Sequence, residues 1–376
     1  MTRLFLTCSQ GIEDLLAQEV KELGYPNVQT GYRGVYVDVD DFSAVYRLNY
    51  HSRIATRVLL PLDTFRMFDE KSLYKGASRI DWHRYIPEGK TIAIDSNVNH
   101  KAIRNSHYAG LLVKDAICDQ LRERRGFRPN IDTQAPDVQI NLFVDGPLAV
   151  LSLDTSGAPL HKRGYRVESV EAPIHESLAA AMLRLARYDD SQVLIDPCCG
   201  SGTFLIEAAM MAFNIPPGFL RQKWGFMTHP DFSNSEWIKV KADAESLRKP
   251  ARSKKIFGFD VNKAAVYAAK ANIRAAGLQD AIQVSQADFR ELTLEFEPTF
   301  LISNPPHGHR LDTFDNLKTL YRSLGDFMKQ YLKKSGHGFV FTTNLDLAKE
   351  VGLAPTQRHV VYQSNTEGRL LEFVVF

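Results

Sequence analysis

The sequence predicts an α/β protein whose C-terminal half forms a doubly wound, mostly parallel sheet, with α+β units before it. After Gly164, apolar stretches such as VLID and IFGFD alternate with helical stretches such as NKAAVYAAKANIRAAG. That alternation is typical of a parallel sheet with helices packed on its faces. Earlier stretches such as VQINLFVDG instead alternate apolar and polar residues. This second pattern predicts a half-buried antiparallel sheet.

The order of the predicted elements divides the chain into three regions. Residues 1–62 and residues 63–156 each contain strands and helices typical of a small α+β unit. Residues 157–376 form the doubly wound region, because SGAPLHKRGYR lacks periodicity and marks a boundary. Within it, residues 214–255 are expected to be an insertion of loops with one helix, and the closing strands HVVYQ and RLLEFVVF are expected to be antiparallel.

Composition excludes several classes of protein. The 46 Lys and Arg residues nearly balance the 44 Asp and Glu residues, so a nucleic acid would have to bind local patches rather than an overall positive field. The chain has no apolar run of roughly 20 residues and no signal-peptide pattern, which predicts a cytoplasmic protein without a membrane partner. The four cysteines match neither a zinc nor an iron-sulfur pattern. We therefore expect reduced, metal-free thiols.

A glycine loop follows the first strand of the doubly wound region. VLIDPCCGSGTFLIEAA has the order strand, tight loop, helix, and Gly200 and Gly202 would let the backbone pass close to a ligand. A dinucleotide fingerprint requires a third glycine where this chain has Leu205, and a P-loop requires Gly-Lys-Ser or Gly-Lys-Thr, which is also absent. The loop therefore favours a ligand without a phosphate group.

Three acidic residues end three successive strands. Asp196, Asp260 and Asp288 suit S-adenosylmethionine, which carries an ammonium and a sulfonium group. We expect Asp196 to attract its positive charge, Asp260 to accept hydrogen bonds from the ribose hydroxyls, and Asp288 to accept one from the adenine amine. The alternative is that each acid only caps the helix that follows. Three such acids in order favour the cofactor interpretation.

The stretch LISNPPHG follows the fourth strand, which predicts that it lies beside the methyl group of the cofactor. The Asn304 side-chain oxygen and the Pro305 carbonyl could accept two hydrogen bonds from an exocyclic amine. Two consecutive prolines make this array of acceptors rigid. His307 would stack on a base turned out of its helix. The alternative is a structural Asn-Pro turn with an exposed histidine.

The motifs resemble those of a known enzyme family. IDPCCGSGTFLIEAA and ISNPPHGHRL resemble motifs I and IV of amino-directed, S-adenosylmethionine-dependent methyltransferases. SLDTSGAPLHKRGYR and RNSHYAGLLVKDAI resemble, more narrowly, the THUMP-containing enzymes that make N2-methylguanosine in large-subunit ribosomal RNA. The resemblance covers essentially the whole chain. It implies a seven-stranded, Rossmann-like class I methyltransferase domain over residues 157–376, preceded by a ferredoxin-like domain (1–62) and an RNA-binding THUMP domain (63–156).

The resemblance also implies a function and a set of site residues. The activity would be methyl transfer to guanosine N2 in 23S rRNA, without a metal; a tRNA guanine methyltransferase and a non-catalytic RNA-binding assembly factor are the alternatives. The family usually has tyrosine where this chain has His307, and the second methyltransferase domain fused to some relatives is not expected here. The implied catalytic residues are Asn304, Pro305, Pro306 and His307, and the implied cofactor-binding residues are Asp196, Cys198, Gly200, Gly202, Thr203, Asp260, Asp288, Phe289 and Asn304.

Two basic clusters interleaved with aromatic residues are candidates for RNA binding. Phosphate contacts combined with base stacking are typical of proteins that hold single-stranded or irregular RNA. A solvated helix end is the alternative for the first cluster, and docking of the domains is the alternative for the second. The first contains Arg122, Arg124, Arg125 and Arg128 around Phe127, and the second contains Lys162, Arg163 and Arg166 around Tyr165.

Overall fold

The chain folds into two compact units. The computed structural model describes residues 2–170, 173–250, 255–306 and 314–375. Unit 1 comprises Met1–Thr7, Ala17–Leu160 and Arg221–Lys241, and unit 2 comprises Cys8–Leu16, His161–Leu220 and Ala242–Phe376. Within the described ranges, no helix combines the length and the apolar character needed to cross a membrane.

Strands and helices follow one another along the whole chain. The strands are β1 (Thr2–Thr7), β2 (Val28–Gly31), β3 (Gly34–Val39), β4 (Arg57–Arg66), β5 (Ile92–Asn99), β6 (Val138–Asp145), β7 (Leu148–Asp154), β8 (Leu194–Asp196), β9 (Ile256–Asp260), β10 (Ile282–Gln286), β11 (Phe300–Ser303), β12 (His337–Thr342), β13 (Gln357–Gln363) and β14 (Thr366–Val374). The α-helices are α1 (Glu13–Glu22), α2 (Ser43–His51), α3 (Glu70–Ala77), α4 (Ser106–Arg125), α5 (Glu176–Leu185), α6 (Thr203–Ala212), α7 (Asn234–Ser246), α8 (Lys263–Ala275), α9 (Phe314–Tyr331) and α10 (Leu345–Glu350).

Unit 1 is built on one seven-stranded sheet with the order β2-β3-β1-β4-β7-β6-β5. The antiparallel pair β6 and β7 alternates buried and less buried residues along β6, as the alternating pattern predicted. The sequence did not predict β4, which pairs with β1 on one side and β7 on the other. The boundary predicted at residue 62 falls within β4, so the two N-terminal regions share this sheet.

The central proline of β4 explains why the sequence pattern did not reveal the strand. Pro61 has no backbone N–H to donate, which normally confines proline to sheet edges or bulges. The pairing of β4 with β7 shifts register between Pro61 and Asp63. This irregularity accommodates the proline inside the sheet.

Unit 2 has the predicted seven-stranded, mostly parallel sheet, with the order β10-β9-β8-β11-β12-β14-β13. The pairs from β10 to β12 are parallel, and β14 pairs antiparallel with both β12 and β13. The expected antiparallel closing pair is therefore confirmed. β8, the first of these strands in the chain, lies between β9 and β11.

Helices cover both faces of this sheet. On one face, Tyr321 and Leu324 of α9 pack in a buried cluster with Ile195 and Leu301. Side chains alternate between faces along a strand, and Phe257 packs against the same cluster, so Gly258 faces the other way. There, a Cβ atom on Gly258 would lie 2.3 Å from a methyl carbon of Leu205 in α6.

The insertion contributes aromatic residues to the core of unit 1. Trp224, Phe226 and Trp237 are all less than 5% exposed. The ring of Trp237 lies 5.2 Å from the rings of Phe226 and Tyr50, centroid to centroid. The predicted helix in the insertion is present as α7. No pattern in the sequence indicates that these aromatic residues pack with α2.

This packing predicts that the insertion stabilises unit 1. Trp237→Ala should lower the free energy of unfolding of unit 1 by about 3–5 kcal/mol, because it leaves a cavity among aromatic rings. Urea unfolding followed by tryptophan fluorescence measures this directly, since all three tryptophans, Trp82, Trp224 and Trp237, belong to unit 1. Ile238→Ala, at a neighbouring side chain that is 52% exposed, is the control and should change little. Equal losses in the two variants would contradict a core role for the insertion.

Candidate active site

The candidate site lies where the parallel strands β8, β9 and β11 end. Because these strands are parallel, their carboxyl ends share one edge of the sheet. The chain leaves β8 for β9 on one side and later returns to β11 on the other, which makes the end of β8 a topological switch point. This edge brings together Asp196, Asp260 and Asn304, as the order of the motifs predicted.

The loop after β8 depends on glycine at two positions. Gly200 and Gly202 have φ angles of +53° and +82°, in the left-handed region that other residues rarely adopt. A Cβ atom on Gly202 would also lie 3.3 Å from the Cβ of Ala269 in α8. The backbone N–H of Cys199 donates to the carbonyl of Phe259, at 2.9 Å, which ties the loop to the end of β9.

Gly258 in β9 is a third important glycine, which lies outside the predicted motifs. A Cβ atom there would lie 3.2 Å from both the Cβ and the Sγ of Cys199, in addition to its clash with Leu205. The residue therefore lets the loop and α6 approach β9 closely. A glycine inside the apolar strand IFGFD could have indicated such an approach.

Asp196 is a buried carboxylic acid at the end of β8. It is 2% exposed, and its Oδ1 accepts hydrogen bonds from the Ser303 hydroxyl at 2.6 Å and from the Cys198 N–H at 3.1 Å. Desolvation is the main cause that raises its pKa to about 7. A cation nearby would favour the ionised form and lower this pKa again. Ser303 is not among the predicted site residues, although serine before Asn-Pro-Pro is a polar residue in an otherwise apolar strand.

Two backbone N–H groups of the protein donate hydrogen bonds to the carboxylate of Asp260. Its Oδ2 accepts a hydrogen bond from the Gly200 N–H and its Oδ1 accepts one from the Asn262 N–H, both at 2.9 Å. A carboxylate offers about four acceptor positions. Asp260 therefore holds the glycine loop in place and keeps acceptor capacity for a ligand.

Asp288 follows β10 and does cap the short turn after it. Its Oδ1 accepts a hydrogen bond from the Arg290 N–H at 3.0 Å, and its carboxylate pairs with the Arg290 guanidinium. The hydrogen bonds from Arg290 lower the pKa of Asp288. Phe289 is 4% exposed and its ring packs against that of Phe327. Its side chain belongs to the core, so a ligand could reach only its backbone.

Asn304 presents an unusual buried acceptor. Its Oδ1 is buried and has no hydrogen-bond partner among the residues that the structure describes. Such atoms are rare in folded proteins, because leaving a buried acceptor unpaired costs free energy. Pro305, the next residue, is buried and Pro306 is partly buried. His307, predicted to stack on the target base, lies outside the described residues.

The adjacent cysteines do not have the properties of nucleophiles. Cys199 is buried and Cys198 is half-buried. Burial raises the pKa of both thiols well above the usual value for cysteine. They therefore remain protonated at neutral pH, as expected for small packing groups.

Arg166, predicted to contact RNA, instead braces the glycine loop. Its guanidinium donates hydrogen bonds to the hydroxyls of Ser201 at 2.9 Å and Thr203 at 3.0 Å. It also donates to the Ile174 carbonyl and pairs with Glu176 at 2.8 Å. All four of these partners belong to unit 2. The structure corrects the prediction for this residue.

Arg163 is a second correction. Its side chain is 1% exposed and pairs with the fully buried Glu207 at 3.5 Å. A guanidinium that is buried in this way cannot reach an RNA phosphate. Lys162, the first residue of the predicted cluster, is exposed.

Asn272 of α8 is another important residue that lies outside the predicted motifs. Its side chain is fully buried; Nδ2 donates to the carbonyls of Ser201 and Glu168, and Oδ1 accepts from the N–H groups of Val167 and Glu168. It therefore joins the glycine loop to the segment after Arg166. A lone asparagine among the small apolar residues of α8 was the available indication.

The first basic cluster lies at the end of α4 in unit 1. Arg122, Arg124, Arg125 and Arg128 are all exposed. Arg122 and Arg124 approach Asp119 and Asp81 at 3.6 Å, but exposed pairs of this kind contribute little. All four guanidinium groups therefore remain accessible to solvent.

Family models match three consecutive parts of the chain. They describe an RlmL ferredoxin-like domain at residues 3–59, a THUMP domain at residues 68–154, and an RMKL-like methyltransferase domain at residues 163–372. The chain belongs to the RMKL-like methyltransferase family. The resemblance inferred from the motifs is therefore confirmed, and the candidate site at the edge of the unit 2 sheet lies within the range that matches the methyltransferase domain.

Relatives and solved structures agree with this RMKL-like assignment. The ribosomal RNA large subunit methyltransferase K/L of Photobacterium profundum is 39% identical over 88% of this chain and 47% of its own length. A putative RNA methyltransferase of a Synechocystis species is 34% identical over 99% of this chain and 96% of its own. The chain spans about half the length of the K/L relatives that it matches.

One solved structure is similar over almost the full length of both chains. It is the crystal structure of a putative methyltransferase complexed with SAH, with a TM-score of 0.88 and 27% identity, and the match covers 100% of this chain and 98% of that one. The fold of the chain is therefore similar to that of a putative methyltransferase of known structure.

The contacts of Arg166 predict that it stabilises unit 2. Arg166→Ala should lower local stability by about 3 kcal/mol, because the buried Glu176 would lose its partner. Hydrogen exchange of peptides that cover β8 and α6 measures this loss. Arg358→Ala is the control, since Arg358 is exposed in the same unit without an ion pair to another described residue, and its loss should change little. Unchanged exchange in Arg166→Ala would contradict the bracing role.

Proposed function

We propose that this chain is an S-adenosylmethionine-dependent RNA methyltransferase that acts on the exocyclic N2 amine of a guanosine in 23S rRNA. The observation that carries the proposal is the buried Oδ1 of Asn304 at the end of β11, which has no hydrogen-bond partner within the described ranges of the chain. An acceptor in this position is suited to an amine donor, and it lies at the same sheet edge as the glycine loop.

The residues at this edge fit S-adenosylmethionine. Two glycines with positive φ allow a ligand to approach the loop backbone. Asp196 is buried and can ionise near neutral pH, which suits a cationic group. Asp260 keeps acceptor positions for the ribose hydroxyls. The similar structure complexed with SAH supports the same class of cofactor. When bound, S-adenosylmethionine would supply an electrophilic methyl group.

The chain's own groups would make the amine a better nucleophile. The lone pair of a guanine N2 amine is delocalised into the ring. Asn304 Oδ1 and the Pro305 carbonyl would accept hydrogen bonds from both amine hydrogens, which favours a pyramidal nitrogen with its lone pair directed at the methyl group. Prolines at 305 and 306 limit backbone rotation and so reduce the entropy cost of this arrangement.

RNA would be held first by unit 1. Its THUMP match spans residues 68–154, and the exposed arginines at the end of α4 lie within that range. Guanidinium groups form bidentate hydrogen bonds with phosphate. The K/L relatives are named as ribosomal RNA large subunit methyltransferases, which favours ribosomal RNA over tRNA as the substrate.

Asn304→Ala should lower methyl transfer by about 10²–10³-fold while RNA affinity is retained, because the variant loses an acceptor aimed at the reacting amine. The assay uses unmodified 23S rRNA and labelled donor, followed by digestion to nucleosides. Asn304→Asp is the matched variant: it keeps a side-chain acceptor and should retain more activity than Asn304→Ala.

The same assay separates the alternatives. Label in N2-methylguanosine supports the proposal, whereas label in another nucleoside contradicts the base assignment. Transfer to purified tRNA but not to 23S rRNA would favour the tRNA enzyme. No incorporation into either RNA by the native chain would favour a non-catalytic RNA-binding factor.

Cofactor affinity should rise with pH. Because burial raises the pKa of Asp196 to about 7, the ligand-free carboxyl is mostly protonated at pH 6 and mostly ionised at pH 7.5. A cationic ligand prefers the ionised form, so binding at pH 6 must first release a proton. We expect S-adenosylmethionine to bind about five- to tenfold more tightly at pH 7.5 than at pH 6.

Isothermal titration of the native chain and of Asp196→Asn at both pH values measures this effect. The variant cannot ionise, so its affinity should be nearly independent of pH over the same range. Parallel pH profiles for the two proteins would rule out Asp196 as the group responsible.

A further inference from the structure

A groove on unit 2 has no part in the site described above. It lies between α8 and β10, the edge strand of the sheet, and has a volume of about 420 Å³. Tyr267, Lys270 and Arg274 line its helical side, and Gln279 and Gln283 are among the residues on its other side. The groove therefore combines an aromatic ring, two cations and two amides.

The helical side of the groove is part of a longer stripe. Lys263, Tyr267, Lys270 and Arg274 have the spacing i, i+4, i+7 and i+11, which places them on one face of α8 over about 17 Å. All four are exposed, and Tyr267 is 61% exposed. We call these four residues the α8 stripe.

No ion pair among the described residues neutralises the positive charge of the α8 stripe. The helix contains no acidic residue. None of its three cations forms an ion pair with any other residue in the part of the chain that the structure describes. Asp280, after the helix, is the one acid between α8 and β10 in the sequence.

A solvated helix face is the simplest explanation of exposed lysines, but it does not account for the whole stripe. Solvated faces usually alternate charges and form pairs along the helix. This face has only cations, and an exposed tyrosine lies between them beside a groove. Aromatic rings next to unpaired cations are the combination that binds single-stranded nucleic acid.

We propose that the α8 stripe and its groove form an accessory site for single-stranded RNA. A base stacks on Tyr267, while Lys270 and Arg274 contact the phosphates on either side. The site rests on the proposed function, since it takes the RNA substrate of the same enzyme. It adds a contact surface in unit 2 to the exposed arginines of unit 1.

The position of α8 supports this assignment. The helix begins three residues after Asp260, so Lys263 lies near the sheet edge that carries the glycine loop. From there the stripe runs along α8 beside β10, the edge strand of the sheet. An RNA segment on it would extend from the edge that holds the candidate active site.

The test compares two double variants of the full chain. Lys270→Gln/Arg274→Gln removes two charges from the stripe, whereas Lys333→Gln/Lys334→Gln removes two exposed charges from elsewhere in unit 2. The probe is a fluorescein-labelled single-stranded RNA of mixed sequence, titrated at several salt concentrations. Affinity for S-adenosylmethionine is measured alongside and should stay unchanged in both, which shows that unit 2 is folded.

The stripe variant should bind the RNA about tenfold more weakly, and its salt dependence should fall by about 1.4 in slope, for two lost phosphate contacts. Tyr267→Ser should weaken binding about five- to hundredfold by removing the stacking surface. The control double variant should match the native chain.

Equal RNA affinity and equal salt slopes in the two double variants would overturn the accessory site. If the native chain still methylates RNA in that case, the proposed function stands without it. Conversely, stripe-dependent RNA binding with no methylation of any RNA would support the site and overturn the proposed activity.

Discussion

The hydrogen bond from Ser303 to Asp196 is the interaction on which the candidate site depends. It joins the ends of β8 and β11 at 2.6 Å, and both residues are almost completely buried. One partner begins the glycine loop and the other immediately precedes Asn304. A hydrogen bond to a charged group contributes about 1.5–3 kcal/mol, and more is lost when the partner of a buried acid is removed. This bond therefore fixes the glycine loop and the segment that begins at Asn304 relative to each other.

Burial of Asp196 has an electrostatic consequence for the same loops. A carboxylic acid at this depth is costly to ionise, which is why the pKa of Asp196 rises to about 7. Arg166 does not relieve that cost, since its guanidinium is committed to Glu176, Ser201, Thr203 and the Ile174 carbonyl. Arg166 thus braces the loop without pairing with Asp196, and under the proposed function Asp196 is left to attract a cationic ligand.

The sequence predicted the features that depend on local periodicity and on short motifs. The seven-stranded sheet of unit 2 and the positions of Asp196, Asp260 and Asn304 followed from strand order. Predictions from the sequence failed where contacts between residues distant in the chain determine the structure. Arg163 looked like an RNA contact because basic residues surround it, but Glu207, distant in sequence, holds it in the core. Likewise, no local pattern indicates that Trp237 packs against Tyr50, or that β4 tolerates Pro61 through a change in register.

The way in which the chain connects the units bears on how RNA would reach the site. The chain passes from unit 1 to unit 2 after Thr7, after Leu160 and after Lys241, and it returns to unit 1 at Ala17 and at Arg221. Unit 1 therefore contains a segment, Arg221–Lys241, that is flanked in the sequence by segments of unit 2. The two units are joined covalently at several points. Under the proposed function, RNA held by the arginines of α4 is tethered to the protein that carries the active site. Tethering raises the effective concentration of the target guanosine at that site, so each surface can bind weakly while the whole protein binds well. With a net charge of only +2, a chain that binds RNA must rely on such local surfaces.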